Sequence, residues 1–251
     1  MPQLKAYHRP SSVEEALKLL ARPNVNTAIL GGGTHLTAHL PEMVTEVADL
    51  QAVAELDKID SAGPEMTIGA MVRLQTIVDD AQAPALLREA AHREGPNTFR
   101  HAATIGGVVA GPDKESELLA ALLVFEAEVQ IQTGSGLKTV SLETFMRDVQ
   151  TALAGGIITA VKLKTTGQTA SDRVGRTPAD NPIVAAAARK TPEGKLLLAL
   201  CGVDAVPVLV APENVKAAVK PPEDFRGSRE YRRQMAATLA KRVISQLEIR
   251  D

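Results

Sequence analysis

Three consecutive glycines, Gly31 to Gly33, follow the apolar pair Ile29 and Leu30 that ends "NTAIL" and lead into Thr34 and His35. Glycine is a poor member of helix and strand interiors, so a regular element must end at this point. A bend without side chains leaves its backbone N–H groups open to approach. A second bend of the same character, "ATIGGVVAG", occupies residues 103–111. Successive amides in such bends can converge on an anion. Two of them could hold the several charged oxygens of a diphosphate from opposite sides without an arginine, although each alone also reads as a tight turn. Neither bend carries the Gly-Lys-Ser/Thr of a P-loop, nor G-x-G-x-x-G with an acidic residue at the dinucleotide-fold distance.

The elements around these bends alternate between helical and strand patterns. "RPSSVEEALKLLAR" reads as a helix capped by Ser11 or Ser12, with Glu14 or Glu15 completing the box and Val13, Ala16, Leu17 and Leu20 forming its stripe. With the strands "NTAIL" and "EVADL" it suggests a small α/β unit over about the first fifty residues. "MTIGAMVRLQTIVDD" reads as a strand entering a helix, and "ALLREAAHRE" as a further helix. "ESELLAALLVFEAEVQIQT" reads as a helix yielding to a strand, "SGLKTVSLETFM" as a hairpin return, and "GGIITAVKLKT" as an alternating antiparallel strand. Residues 165–182, polar with glycine and proline, are expected to connect domains. Beyond them come strands joined by the turn "TPEGK", then the helical stretches "APENVKAAV" and "GSREYRRQMAATLAKRVISQLEI".

Composition limits the chemistry. With no Trp, four Phe and two Tyr in 251 residues, the core must be built from Ala, Leu and Val, and base-stacking platforms are disfavoured. The net charge of -2 gives no reason to expect nucleic acid or an anionic membrane as partner. One cysteine, Cys201, rules out an internal disulfide framework or a cysteine-ligated cluster within this chain, and its apolar setting reads as core. No signal peptide or membrane span is evident, so the expected compartment is the cytoplasm. No nucleophile or acid–base pair stands out, and Asp79–Asp80 read as a solvated helix end. His35 and His39 have the i, i+4 spacing of a metal pair but lack a third ligand nearby, so His35 as a loop donor and His39 as a surface residue is the plainer reading. The six basic residues against one acidic between Arg226 and Arg242 read as a solvated helix face rather than a partner patch.

The order of "YHRPSSVEEALKLL", "LGGGTHL", "TIGAMVRLQTI", "RHAATIGGVVAG", "ESELLAALLVFEAEVQI" and "GSREYRRQMAATLAKR" resembles the FAD-binding (medium) subunit of the molybdenum hydroxylases, the carbon monoxide dehydrogenase and xanthine dehydrogenase type. The likeness covers nearly the whole chain and is most specific at "RHAATIGGVVA" and "GSREYRR". It implies an α+β fold: a two-part, PCMH-like FAD-binding region followed by a C-terminal α/β domain of a small antiparallel sheet with helices. The corresponding boundaries are 1–55 and 56–165 for the two FAD-binding subdomains and 166–251 for the last domain. It further implies FAD as cofactor, with Leu30, Gly31, Gly32, Gly33, Thr34 and His35 forming one loop and Thr104, Ile105, Gly106, Gly107 and Val108 the other. Glu117 falls where the family usually has an aspartate near the ribityl and ring end of the flavin. This chain departs from the usual pattern at Ala28, His35, His101, Val108, Lys114 and Glu117, changes that spare backbone contacts and remove side-chain ones. The implied partners are an iron–sulfur small subunit and a molybdopterin large subunit, with electrons leaving through FAD to an acceptor. The alternatives are a member of the same fold that has lost FAD and serves as a structural or assembly partner, and an unrelated diphosphate-ligand protein.

Overall fold

The computed structural model describes residues 4–249. Its first part contains β1 (Ala6–His8), α1 (Val13–Leu20), β2 (Thr27–Leu30) and β3 (Glu46–Asp49), with the strands in a parallel sheet of order β1-β3-β2. α1 begins as its sequence demands: the Ser12 hydroxyl accepts the Glu15 N–H while the Glu15 carboxylate accepts the Ser11 N–H. Val13 and Ala16 are buried against Leu50, Val53 and Leu56, with Leu17 and Leu20 beside them.

The second part opens with β4 (Ile59–Ala62) and β5 (Glu65–Gly69) and continues through five helices. These are α2 (Leu74–Asp79), α3 (Ala85–Arg93), α4 (Asn97–Ala102), α5 (Ile105–Ala110) and α6 (Glu117–Val124). Then come β6 (Glu128–Thr133), β7 (Gly136–Ser141), α7 (Leu142–Arg147), α8 (Val149–Leu153) and β8 (Ile157–Lys164). The strands form an antiparallel sheet of order β4-β5-β8-β6-β7. α6 is apolar all round after Glu117, and every one of its residues is buried, as such a helix must be.

The third part is an antiparallel sheet of order β12-β11-β10-β9, made of β9 (Gln168–Val174), β10 (Val184–Lys190), β11 (Leu196–Cys201) and β12 (Val208–Leu209). It is followed by α9 (Val215–Ala218) and the long α10 (Arg229–Glu248). β10, "VAAAARK", is covered on both faces. Ala185 and Ala187 join the core containing α6, and Val184, Ala186 and Ala188 join the core under α10. A run of alanines fits this place because a helix lies close on either side. The second sheet and one face of the third therefore share a continuous apolar core.

The structure changes three sequence expectations. The polar stretch 165–182 contains strand β9, an edge strand, where only one face and one ladder need satisfying and polar residues are tolerated. "IGGVVA" forms helix α5 despite its glycines, because Thr104 caps it and Ile105 and Val109 are fully buried. The basic face of the last helix is not all solvated. Arg232 is 0% exposed, donating to the carbonyls of Ile183 and Gly202 and bidentately to Asp224 at 2.8 and 2.7 Å. The partly buried Asp224 is held down to about 2 by hydrogen bonds from Arg232 and the Arg226 amide, which overcome the opposing effect of burial. Arg189 is likewise buried and ties β10 to the second part through the carbonyls of Thr166 and Val124 and the carboxylate of Glu126.

Candidate functional site

β2 ends at Leu30, and the chain then turns through Gly31, Gly32 and Gly33, the last at φ +75°, where a side chain would be strained. Among the described residues, the N–H groups of Gly32, Gly33, Thr34 and His35 meet no protein acceptor. Thr34 and His35 are exposed, and the His35 ring stacks on that of His39 with centroids 4.8 Å apart. The described residues contain no group of three or more His, Cys, Asp or Glu side chains placed to hold a metal ion.

The second bend behaves differently. Ile105 N–H donates to the Val72 carbonyl, Gly106 N–H to the Ala70 carbonyl and Gly107 N–H to the Thr104 hydroxyl at 3.2 Å. The amides of Ile105, Gly106 and Gly107 thus already have acceptors within the chain, Thr104 N–H meets none among the described residues, and most of the free donors of the pair of loops lie in the first.

The two loops touch. A Cβ on Gly32 would lie 1.9 Å from the Ala102 carbonyl oxygen, and one on Gly31 would lie 3.0 Å from the Thr104 hydroxyl. A Cβ on Gly106 would stand 2.8 Å from both the Cβ and the carbonyl oxygen of Ala70. Gly32 and Gly106 are therefore glycines because the chain packs on itself there, and a side chain at either would displace the fold before it met a ligand. Gly107 is of the other kind. It is exposed, and a Cβ on it would find only the Thr104 hydroxyl, at 3.1 Å.

A cavity opens on each side of this closed seam, and Gly107 lines both. The larger, of about 520 Å³, is bounded by Thr34 and His35 from the first loop, Val108 and Gly111 from the second, and Arg93, Glu94, Phe99, Glu115 and Glu117 beyond. Asn181 and Pro182 of the third part close its far wall. The smaller, of about 130 Å³, is apolar, lying between Ile29, Gly31 and Leu50 of the first part and Met71, Ala110, Leu153 and Ile157 of the second. Thr104, 1% exposed, also lines the smaller cavity, Ile105 is fully buried and Leu30 is half-buried.

Charges in the larger cavity are mostly paired. Glu117, at the start of α6, lies 3.1 Å from Arg93 and 3.2 Å from Arg173. Glu115 is held bidentately by Arg226. Glu94 receives the Ser116 hydroxyl at 2.7 Å and the Leu118 N–H at 2.9 Å on one oxygen, and no cation reaches it among the described residues. Burial pushes its carboxyl up to about 7 against those two hydrogen bonds, with help from the charges of Glu117 and Asp113. Cys201 is buried, and its thiol is raised first by that burial and then by Glu117 and Glu94. The sequence pointed to Glu117 but not to Glu94, Arg93 or Asn181. They lie on separate elements and share no short motif, so only the fold brings them together.

The chain is similar to known proteins over most of its length. The family described as "FAD binding domain in molybdopterin dehydrogenase" matches residues 2–163. An uncharacterized Escherichia coli protein, YgfM, is 30% identical over 249 residues, covering 94% of this chain and 93% of the relative. The carbon monoxide dehydrogenase medium chain of Afipia carboxidovorans is 27% identical over 282 residues, covering 97% of this chain and 96% of that one. A solved carbon monoxide dehydrogenase from Hydrogenophaga pseudoflava superposes with a TM-score of 0.87 at 22% identity, over 100% of this chain and 99% of that one.

Proposed function

Because the chain belongs to the family of FAD-binding domains of molybdopterin dehydrogenases, we propose that it holds FAD across the seam between its glycine loops, as the flavoprotein subunit of a molybdenum hydroxylase-type oxidoreductase. The observation that carries this reading is the run of four unpaired amides, Gly32 to His35, beside two cavities that meet at Gly107. A diphosphate needs donors, and this run offers four, two of them on glycines that put no side chain in its way. The larger cavity lies within the roughly 300–1,000 Å³ usual for small-molecule sites, and its polar wall suits the polar part of a dinucleotide. The smaller, apolar one suits a flat ring. In this proposal subdomains 1–55 and 56–165 form the FAD-binding region and residues 166–251 close the larger cavity through Asn181 and Pro182.

Bound FAD would supply electron transfer between iron–sulfur clusters of a small partner subunit, fed by a molybdopterin-bearing large subunit, and an acceptor. The chain's own residues position and insulate it. The first loop donates hydrogen bonds from its backbone. Thr104 holds the second loop against it. The pairs Glu117–Arg93–Arg173 and Glu115–Arg226 stiffen the wall and leave it nearly neutral. The departures at His35 and Val108 leave the first loop's donors intact, since those donors are backbone N–H groups.

A second reading draws on the bonded amides of Ile105, Gly106 and Gly107, which leave the second loop few free donors among the described residues. Under it, the chain keeps the fold as a structural partner without FAD. Titration of the purified chain with FAD, followed by quenching of flavin fluorescence, separates the two. Saturable binding of one FAD per chain supports the flavoprotein subunit, and no quenching at millimolar FAD supports the structural partner. A tagged chain purified from its native cells should also carry iron and molybdenum in fixed ratio to itself if the partner subunits are as proposed.

A further inference from the structure

The wall of the larger cavity carries four carboxylates, Glu94, Asp113, Glu115 and Glu117, and they differ in what faces them. Glu115 is matched by Arg226, and Glu117 by Arg93 and Arg173. Asp113 is exposed and caps the Glu115 N–H at 2.8 Å. Glu94, at the end of α3, is partly buried and meets no cation among the described residues. Arg93, its neighbour on the same helix, is turned to Glu89 and Glu117. One Glu94 oxygen takes both of its hydrogen bonds, and the other, Oε2, takes none and is not sealed in the interior. From the loop side the cavity is faced by His35, and Cys201 lies buried near the same carboxylates.

Resting on the FAD reading, we infer that Glu94 enters the complex protonated and presents a hydrogen-bond donor to the cofactor, so that FAD binding takes up a proton. An incoming diphosphate brings negative charge to a wall where Glu117 and Asp113 already disfavour a further anion. Occupancy also removes water from the cavity, which penalises the unpaired carboxylate again. The acid form suffers neither penalty, and it converts an oxygen that can only accept into one that can donate. The free protein is already poised for this step, because burial holds Glu94 near neutrality.

The test is isothermal calorimetry of FAD binding to the whole chain at pH 8, in two buffers of different ionisation enthalpy. About 0.4 of a proton should be taken up per FAD for a bound-state value one unit above that of the free protein. Raising the pH from 6 to 9 should weaken binding about tenfold for a bound-state value one unit above that of the free protein. Glu94→Gln, which keeps an acceptor for Ser116 and Leu118 and cannot ionise, should bind FAD with near-parental affinity at pH 6, no proton uptake from this site and a flat pH profile. FAD binding with no proton uptake in the parent overturns this inference and leaves the FAD reading standing. So does an uptake that Glu94→Gln does not reduce. No FAD binding by the parent at any pH overturns both.

Discussion

The contact between the two glycine loops can be tested by the smallest possible insertion, Gly32→Ala. The new Cβ would stand 1.9 Å from the Ala102 carbonyl oxygen and 2.7 Å from its carbonyl carbon. Comfortable separation is about 3.5 Å, so the loops must part by roughly 1.5 Å. Both sides of the clash are backbone, and no rotamer change relieves it. Overpacking costs about 1–3 kcal/mol, and a backbone clash belongs at the upper end, about 3 kcal/mol. For a chain of this size each kcal/mol moves Tm by about 2–4 °C, so the melting temperature should fall by about 6–12 °C. Thermal melts followed by circular dichroism, without ligand, read this directly. A shift under about 2 °C would mean that the loops are not in contact, and the account of why Gly32 is glycine would be wrong.

Gly107→Val is the complementary probe: its Cβ meets only the Thr104 hydroxyl, so Tm should fall by no more than about 4 °C, while FAD affinity should drop at least tenfold because the residue lines both cavities. Fluorescence titration giving parental affinity for this variant would exclude the seam as the cofactor's seat. Arg232→Ala strands Asp224 and the Ile183 and Gly202 carbonyls, and should cost about 3–5 kcal/mol, measured as a shift in the urea midpoint. Asp224 titrates at about 2 in the folded chain, below its ordinary 3.8, so its contribution is present above pH 4 and is lost as pH falls through 2. After allowance for solvent screening that contribution is about 1 kcal/mol, and urea melts at pH 4.5 and 2 should show it in the parent and not in Asp224→Asn.

Where local chemistry decides, the sequence was legible. The cap made by Ser11, Ser12 and Glu15 marks the start of α1, and the alternation of "IITAVKLK" marks β8 with its apolar positions buried. Where tertiary partners decide, it was not. β9 is polar because it is an edge, and α5 contains Gly106 because that residue must lie against Ala70. Arg232 and Arg189 look like surface charges until the carbonyls that receive them are known. The same division holds at the site. The glycine loops could be found as motifs, but their meaning changed. Gly32 and Gly106 serve packing, most of the free donors lie between Gly32 and His35, and Glu94 joins the wall only through the fold.

A crystal structure of the chain soaked with FAD tests the central claim most directly. The diphosphate should lie on the amides of Gly32 to His35, with the rest of the cofactor passing Gly107 into the cavities on either side. Density for FAD elsewhere on the chain, or diphosphate density that leaves those four amides bare, would contradict it.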